Sequence, residues 1–379
     1  MRILLVEGTG KGFLAHYSLA LALGLAERGD EVRLLAPTDG EFKHTMLPVD
    51  VCFRLKSGAA AWQQLRKEVA AYRPDIVHLQ WVGHPLAALR LVRYCRRQGV
   101  RVLYTPHNLL PHRYRWLTQP LYAWLYQALD AIVARDSHIA WGLQELLDIP
   151  RDRSQLIPGS PNLLASEQLP SQLPAELATG AAGAVRLLQF GYGGRKKGTR
   201  ALLEALLALP HTDHLQLILA GQGVLKDVPQ SLADAARQRM RLTVIDRYIP
   251  ATEVASIFSF SDLLLMPYQV QCDSPLIDLA RALETPVLRS DRVSHPDFRE
   301  GVDGYTFRAG TPAELERHLA LLLEAPQQLA ALRQQARGRQ TERQLLARLV
   351  TQHHALYGRL LKRSEQRLER PALPIQELS

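Results

Sequence analysis

A cationic turn stands where a strand meets a helix in the second half of the chain. The stretch QFGYGGRKKGTRALLEAL, residues 189–206, has an apolar strand end, glycines, three adjacent cations and an amphipathic helix. Like charges repel, and a helix N-terminus carries partial positive charge, so Arg195, Lys196 and Lys197 are misplaced unless an anion binds there. Arginine offers a planar fork and lysine a point charge, and both suit phosphate. The turn, with Gly198 at the helix start, therefore predicts a diphosphate site; a solvated basic turn is the alternative.

A glycine loop follows the first strand. In EGTGKGFLAH, residues 7–16, Gly10 and Gly12 allow the backbone to approach a ligand closely, and the N–H groups of the helix start favour an anion. The spacing G-x-G-x-G departs from the dinucleotide fingerprint, and the second strand ends without the acidic residue of that motif, which disfavours a dehydrogenase. A tight turn without a ligand, with His16 exposed on the helix, is the alternative interpretation.

Two histidines lie in or after predicted strands. His107, in YTPHN, follows a strand, where it can donate to a sugar hydroxyl or steady a developing charge. Pro106 stiffens this loop and Asn108 adds a second polar group. A loop histidine held by backbone carbonyls is the alternative. His78, within IVHLQW, lies in mid-strand and is predicted to be a packed core residue.

A second helix start follows in MPYQVQCDSPLIDLARALETPVL, residues 266–288. Ser274 has the side chain of an N-cap, and Pro275 fits the first helical position. The free N–H groups of such a start form a second phosphate cradle. Asp278, one turn into the helix, is a candidate partner for ribose hydroxyls or a residue that only favours the helix dipole.

The composition indicates a soluble globular protein with an acidic partner. The 379 residues are 47% hydrophobic and 22% charged, with a formal net charge of +9 and a pI near 9.6. Such a charge favours a phosphorylated small molecule or an anionic membrane surface. The cations do not form one block, which disfavours nucleic acid. The three cysteines form no CxxC pair, which indicates a reducing, cytoplasmic location and neither a zinc site nor a disulfide framework.

Continuous apolar strands alternate with helical segments in both halves, which predicts parallel sheets covered on both faces. We expect an α/β architecture of two Rossmann-like doubly wound domains that face a cleft, with ligands at the carboxyl ends of the strands. The predicted organisation is one doubly wound domain over 1–165, a linker over 166–185, a second doubly wound domain over 186–340, and helices over 341–379.

The stretch RYRWLTQPLYAWLYQAL, residues 113–129, combines cationic and aromatic side chains. This mixture suits a membrane interface, which predicts peripheral contact with the inner face of the plasma membrane. A core helix with cations at its rim is the alternative. No stretch of 18 apolar residues predicts a transmembrane helix, and the N-terminal segment has the pattern of a buried strand and not of a signal peptide.

In order along the chain, these motifs resemble the retaining nucleotide-sugar enzymes of glycosyltransferase family 4, which have the GT-B fold. The glycine loop followed by His16 and RGDEV resembles the family's opening, and IVHLQW and YTPHN resemble its next two strands. The segments ARDSHIAWGL, FGYGGRKKG, LILAGQG, RYIPATEVASIFSFSDLLLMPY and EGVDGYTF resemble later parts of the family. The resemblance covers nearly the whole chain. It implies that 1–165 is the acceptor-side domain, that 186–340 is the nucleotide-sugar-binding domain, and that the helices over 341–379 pack back on the first domain.

The resemblance implies a hexosyltransferase that moves a sugar from a nucleotide-diphosphate sugar to a glycan or lipid-linked acceptor, in cell-surface or exopolysaccharide assembly. It implies that His107 is the catalytic residue near the transferred sugar, with His16 and Asn108 on the acceptor side. No cofactor or obligatory metal is expected, because cations and helix dipoles neutralise the leaving diphosphate. The donor-binding residues expected are Gly10, Gly12, Arg195, Lys197, Gly198, Ser274, Pro275 and Asp278.

Three positions depart from the family pattern. The phosphate-binding arginine of the family is Tyr192 here, and the two family glutamates fall near Gln271 and Leu279. The sequence therefore leaves open the donor and the choice between a retaining and an inverting reaction. The alternative functions are a nucleotide-sugar epimerase, which the acid-poor loops disfavour, and a non-catalytic nucleotide-sugar-binding protein.

Overall fold

Two parallel sheets organise the chain, one in each of two units. We describe a computed structural model over residues 1–41, 49–56, 60–110, 115–159, 171–178, 183–295, 297–336 and 342–368. The first unit comprises Met1–Pro161 and Arg343–Ser379, and the second comprises Asn162–Glu342. Helix α12 (Glu342–Leu368) thus belongs almost entirely to the first unit.

The first unit contains a seven-stranded parallel sheet in the order β3-β2-β1-β4-β5-β6-β7. Its strands are β1 (Arg2–Val6), β2 (Glu31–Pro37), β3 (Asp50–Leu55), β4 (Ile76–Leu79), β5 (Arg101–Tyr104), β6 (Ala131–Ala134) and β7 (Ser154–Leu156). Its helices before α12 are α1 (Gly12–Glu27), α2 (Ala61–Tyr72), α3 (Pro85–Arg97), α4 (Arg115–Ala128) and α5 (Ser137–Glu145). The order reverses direction between β1 and β4, which is the switch point of a doubly wound sheet.

The second unit repeats this plan with six parallel strands in the order β10-β9-β8-β11-β13-β15. The strands are β8 (Val185–Phe190), β9 (Leu215–Ala220), β10 (Arg241–Ile245), β11 (Leu263–Met266), β13 (Val287–Ser290) and β15 (Gly304–Phe307), and β12 (Cys272–Asp273) pairs with β14 (Val293–Ser294) apart from them. The helices are α6 (Thr199–Ala208), α7 (Gln230–Arg239), α8 (Ala251–Phe260), α9 (Leu276–Ala282), α10 (Pro312–Glu324) and α11 (Pro326–Ala336). The predicted α/β class with two doubly wound parallel sheets is confirmed.

Buried aliphatic side chains fill both faces of each sheet, as the continuous apolar strands predict. In the first unit, α12 lies directly against α1: a Cβ on Gly24 would fall 2.4 Å from Val350 Cγ2. Tyr357 of α12 also reaches the sheet, where its hydroxyl lies 2.6 Å from Nδ1 of His78. His78 is fully buried, so the prediction that it is a core residue is confirmed.

Part of the segment predicted as a linker is packed. Residues 171–178 contain a 3₁₀ turn at Ala175–Leu177, and the Leu177 side chain is fully buried in the second unit beside Leu188 and Ile218. Within the predicted linker, residues 166–170 and 179–182 lie outside the described residues.

Candidate functional site

The cationic turn lies at the carboxyl end of β8. Residues Arg195–Lys197 form a single 3₁₀ turn, and Gly198 follows with a φ of +71° before α6 begins. A Cβ on Gly198 would fall 1.8 Å from the Pro267 carbonyl oxygen, and one on Gly193 would fall 1.7 Å from that of Gly223. The glycines therefore allow this turn to lie against the loops that follow β9 and β11.

The side chain of Lys197 is half-buried beside Tyr268. Its Nζ donates a hydrogen bond to the Tyr268 hydroxyl and lies 3.9 Å from the centroid of the same ring. Burial lowers the pKa of Lys197 to about 8. Among the described residues, no carboxylate forms an ion pair with Lys197. Within the described part of the chain, the ammonium group is thus held by a tyrosine and not by a carboxylate.

A cavity of about 240 Å³ opens beside this turn. Gly194, Arg195, Gln269 and the first turn of α6 line it, together with two carboxylate-bearing residues, Glu204 and Asp227. The first turn of α6 contains no acidic residue, and its leading N–H groups have no partner within the helix. The exposed Arg195 guanidinium and the helix start together suit a diphosphate.

The helix start at Ser274 differs from the prediction. Helix α9 begins at Leu276 with Pro275 as its N-cap, and no side chain caps it, so the prediction that Ser274 is the N-cap is wrong. The Ser274 side chain is buried and hydrogen-bonded to Tyr268 instead. This bond connects Ser274 to Lys197 through one tyrosine hydroxyl, a link between two predicted donor-binding residues that sequence spacing does not reveal.

Asp278 is buried and has partners within its own unit. Its Oδ1 lies 3.0 Å from Nε2 of His295 and 3.4 Å from a terminal nitrogen of Arg281. A ribose contact would require exchange of these partners, so the role of Asp278 at the donor stays a prediction. The position of the second family glutamate, Leu279, is a core residue and offers no replacement.

In the first unit, two of the chain's own carboxylates occupy the glycine loop. Glu7 accepts hydrogen bonds of 2.6 Å from the backbone N–H groups of Thr9 and Gly10. Burial, the largest influence, raises the pKa of Glu7. The N–H of Gly12 donates to Oε2 of Glu41 at 3.1 Å. The first N–H of α1, predicted to bind a donor phosphate, therefore has a carboxylate partner already.

The two predicted acceptor-side residues lie in different surroundings. His16 is fully buried in α1, with Nε2 3.4 Å from Oε2 of Glu41, so the alternative of an exposed His16 is wrong. Burial lowers the pKa of His16, which favours the neutral imidazole. Asn108 is exposed in the loop that follows β5.

His107 lies in the same loop and contacts Arg135, which the sequence reasoning missed. A terminal nitrogen of Arg135 is 2.5 Å from Nδ1 of His107, and the ring of Tyr17 meets the imidazole edge-on at 5.2 Å. Burial, then the charge of Arg135, holds the pKa of His107 well below its ordinary value. The position of Arg135 could have indicated this contact, because Arg135 directly follows β6 and β6 pairs with β5, the strand that precedes His107.

The described residues contain neither a candidate metal cluster nor a candidate membrane-spanning helix. No three His, Cys, Asp or Glu side chains in the described ranges are grouped so that they could hold a metal ion. No helix within those ranges has the length and apolar character needed to cross a membrane.

Comparison with known proteins places these features in context. The family model described as Glycosyltransferase Family 4 matches residues 14–160. A glycosyltransferase named EpsD from Bacillus subtilis (strain 168) is 25% identical over 303 residues, which cover 73% of this chain and 75% of that protein. A GDP-mannose:glycolipid 4-beta-D-mannosyltransferase from Xanthomonas campestris pv. campestris is 26% identical over 257 residues, which cover 64% and 68%.

The fold also has close structural counterparts. The crystal structure of HepE from Anabaena in complex with UDP superimposes with a TM-score of 0.69 at 16% identity, covering 95% of this chain and 100% of that one. At this identity the likeness concerns the fold alone, which is the GT-B fold with two Rossmann-like domains.

Proposed function

Because the chain is a glycosyltransferase of the GT-B fold whose N-terminal half matches family 4, we propose that it uses a nucleotide-diphosphate sugar as its donor. The acceptor in this proposal is a glycan or a lipid-linked glycan of cell-surface or exopolysaccharide assembly. The relatives support both assignments: one uses GDP-mannose and a glycolipid, and HepE binds UDP.

The observation that carries the proposal is the Lys197 ammonium held by Tyr268 without a carboxylate partner among the described residues. Desolvating a cation costs free energy, and the cost is offset when an anion arrives. Arg195 and the start of α6 border the neighbouring cavity, so the donor diphosphate is assigned to this turn. Preorganised cations stabilise the charge that develops on a leaving diphosphate. The proposed reaction therefore needs no metal.

The first unit is assigned the sugar and the acceptor. His107 is proposed to contact the transferred sugar through Nε2, which is buried and without a partner among the described residues. Asn108, exposed beside it, is proposed to contact the acceptor. Neither Gln271 nor Leu279 supplies a carboxylate at the positions of the family glutamates, so the stereochemical outcome is left to measurement.

Thermal unfolding with UDP, GDP and ADP, each with and without EDTA, tests the donor assignment. A ligand that binds only the folded state adds about 2.7 kcal/mol at a hundredfold excess over Kd, or about 5–10 °C in the midpoint for a unit of this size. We expect one nucleotide to give this shift with EDTA present. The proposal fails if none of the three shifts the midpoint, and its metal-free part fails if EDTA removes the shift.

We also propose that the face formed by α3 and α4 contacts anionic membrane. Neither α3 nor α4 contains an acidic residue. Arg90, Arg93 and Arg97 of α3 are exposed, and Trp124 of the neighbouring α4 is 58% exposed although Tyr122 and Tyr126 are buried. Cations beside an exposed indole suit a lipid headgroup layer. Of the predicted membrane stretch, residues 113–114 lie outside the described ranges.

Vesicle sedimentation tests the membrane face. Each cation near an anionic surface contributes about 1 kcal/mol, so glutamine at Arg90, Arg93 and Arg97 is expected to weaken binding to phosphatidylglycerol vesicles by about 100-fold. The control carries glutamine at Lys226, Arg308 and Arg317, three exposed cations of the second unit, with the same change in net charge. Equal losses in both variants would mean that net charge and not this face directs binding.

A further inference from the structure

The contact between His107 and Arg135 determines which nitrogen of the imidazole carries the proton. A guanidinium group has only N–H donors and keeps its charge at all relevant pH values, so it cannot accept a hydrogen bond. The Arg135 nitrogen lies 2.5 Å from Nδ1 of His107, which must therefore be the acceptor. In the neutral imidazole, the proton then resides on Nε2.

We propose that Arg135 is a positioning residue that fixes His107 in the neutral Nε2–H tautomer, so that His107 serves transfer as a hydrogen-bond donor and not as a base. The relevance to transfer rests on the proposed function, whereas the tautomer is a property of the free protein. The acceptor we assign to Nε2–H is an oxygen of the bound sugar.

The surroundings hold Arg135 in the orientation that this role needs. Its guanidinium carbon lies 5.5 Å from the ring centroids of both Phe13 and Tyr17, two residues of α1. The Tyr17 ring also packs edge-on against the imidazole, at an interplanar angle of 83°. Arginine, imidazole and the two aromatic rings are thus packed together, and the guanidinium has little freedom to turn away from Nδ1.

The other side of the imidazole is prepared for a ligand. Within the described part of the chain, Nε2 of His107 is buried and has no hydrogen-bond partner. A buried N–H without an acceptor is costly, and binding a ligand oxygen removes that cost. Among the residues that the structure describes, three groups from the packed elements face His107, namely Arg135 after β6, Tyr17 of α1 and His78 of β4, and none is a carboxylate that would favour the imidazolium.

Nitrogen-15 NMR of the histidine-labelled full-length protein, without substrate, tests the tautomer. Two-bond couplings from the ring protons distinguish Nε2–H from Nδ1–H, and His107→Gln assigns the signal. We expect wild-type His107 to show Nε2–H and to stay neutral at the pH values at which an ordinary histidine becomes protonated, because burial and Arg135 both oppose the imidazolium. An Nδ1–H signal, or titration near the ordinary value, in the wild-type protein would overturn the proposal.

Variants separate the effect of Arg135 from general damage. In Arg135→Met, the pKa of His107 is expected to rise toward its ordinary value of 6.5, with both tautomers populated. Arg135→Lys keeps the positive charge, so the pKa of His107 in this variant is expected to lie between that of wild type and that of Arg135→Met. Tyr17→Phe keeps the ring and removes a hydroxyl that has no partner among the described residues, so it should match wild type. An unchanged tautomer and pKa in Arg135→Met would also overturn the proposal.

The NMR result is independent of the donor assignment. If no nucleotide binds but the tautomer is as expected, the proposed function fails and the role of Arg135 in orienting His107 stands. If nucleotide binds and wild-type His107 titrates normally, the donor assignment stands and the proposed role of Arg135 fails. With both intact, kcat/KM of Arg135→Met should be lower than that of wild type above the new pKa of His107, because part of the neutral imidazole is then the Nδ1–H tautomer, which cannot donate from Nε2.

Discussion

Replacing Lys197 by methionine is expected to weaken binding of the nucleoside diphosphate identified by thermal unfolding by about 30- to 100-fold. A hydrogen bond to a charged group contributes about 2–3 kcal/mol, and each 1.4 kcal/mol corresponds to about tenfold in Kd. Lys197 is held by Tyr268 with no carboxylate partner in the described residues, so its charge is directed to the ligand. Isothermal titration calorimetry at pH 7 measures the loss.

The neighbouring Lys196 provides a matched control. It carries the same charge one residue away, but its side chain is exposed, and its backbone carbonyl accepts a hydrogen bond from the N–H of Gln269. Exposed charges contribute about 0–1 kcal/mol, so Lys196→Met should weaken binding by no more than about fivefold. Equal losses in the two variants would show that the turn acts through its summed charge and that the buried position of Lys197 is unimportant.

The same lysine predicts how binding depends on pH. Burial lowers the pKa of Lys197 to about 8 in the free protein, and a bound diphosphate must raise it, because an anion favours the charged form. Between those two pKa values, binding takes up one proton. The Kd should therefore rise by about tenfold per pH unit above pH 8 in wild type. In Lys197→Met this rise should be absent, which a titration series from pH 7 to pH 10 would reveal.

The sequence predicts the backbone of the phosphate turn better than its side-chain contacts. Glycines, cations and a helix in close succession are local features, and the structure has the turn where they predict it. The partner of Lys197 is Tyr268, which lies 71 residues further along the chain, and only the parallel pairing of β8 with β11 brings them together. Local spacing contains no information on such a contact.

The same limit explains the other differences. The sequence predicts that Gly12 binds a phosphate, but in the structure its N–H donates a hydrogen bond to Glu41, 29 residues away. The sequence predicts a ribose contact for Asp278 from its position in the first turn of α9. Its partner in the structure, His295, lies 17 residues further along the chain, after β14.

Replacing Gly198 by alanine is expected to destabilise the second unit and abolish nucleotide binding together. An L-residue in the left-handed region costs about 1–2 kcal/mol, and forcing a methyl group into a filled site adds about 1–3 kcal/mol. Here the methyl carbon would lie 1.8 Å from the Pro267 carbonyl oxygen, so the turn must move away from the strand end. That movement would displace Lys197, the preceding residue, from Tyr268.

Gly301 separates the two contributions, because it has nearly the same φ angle as Gly198 without the collision. Its φ is +72°, and no atom lies within 4 Å of the position that a Cβ would take. Gly301→Ala should therefore lower the free energy of unfolding by only the cost of the left-handed backbone, about 1–2 kcal/mol. Gly198→Ala should lower the same free energy, measured by urea unfolding, by about 2–5 kcal/mol. Gly301→Ala should also bind nucleotide as wild type does. Equal losses of stability would mean that conformation alone requires glycine at 198, and a Gly198→Ala protein that still binds nucleotide would separate the shape of this turn from phosphate recognition.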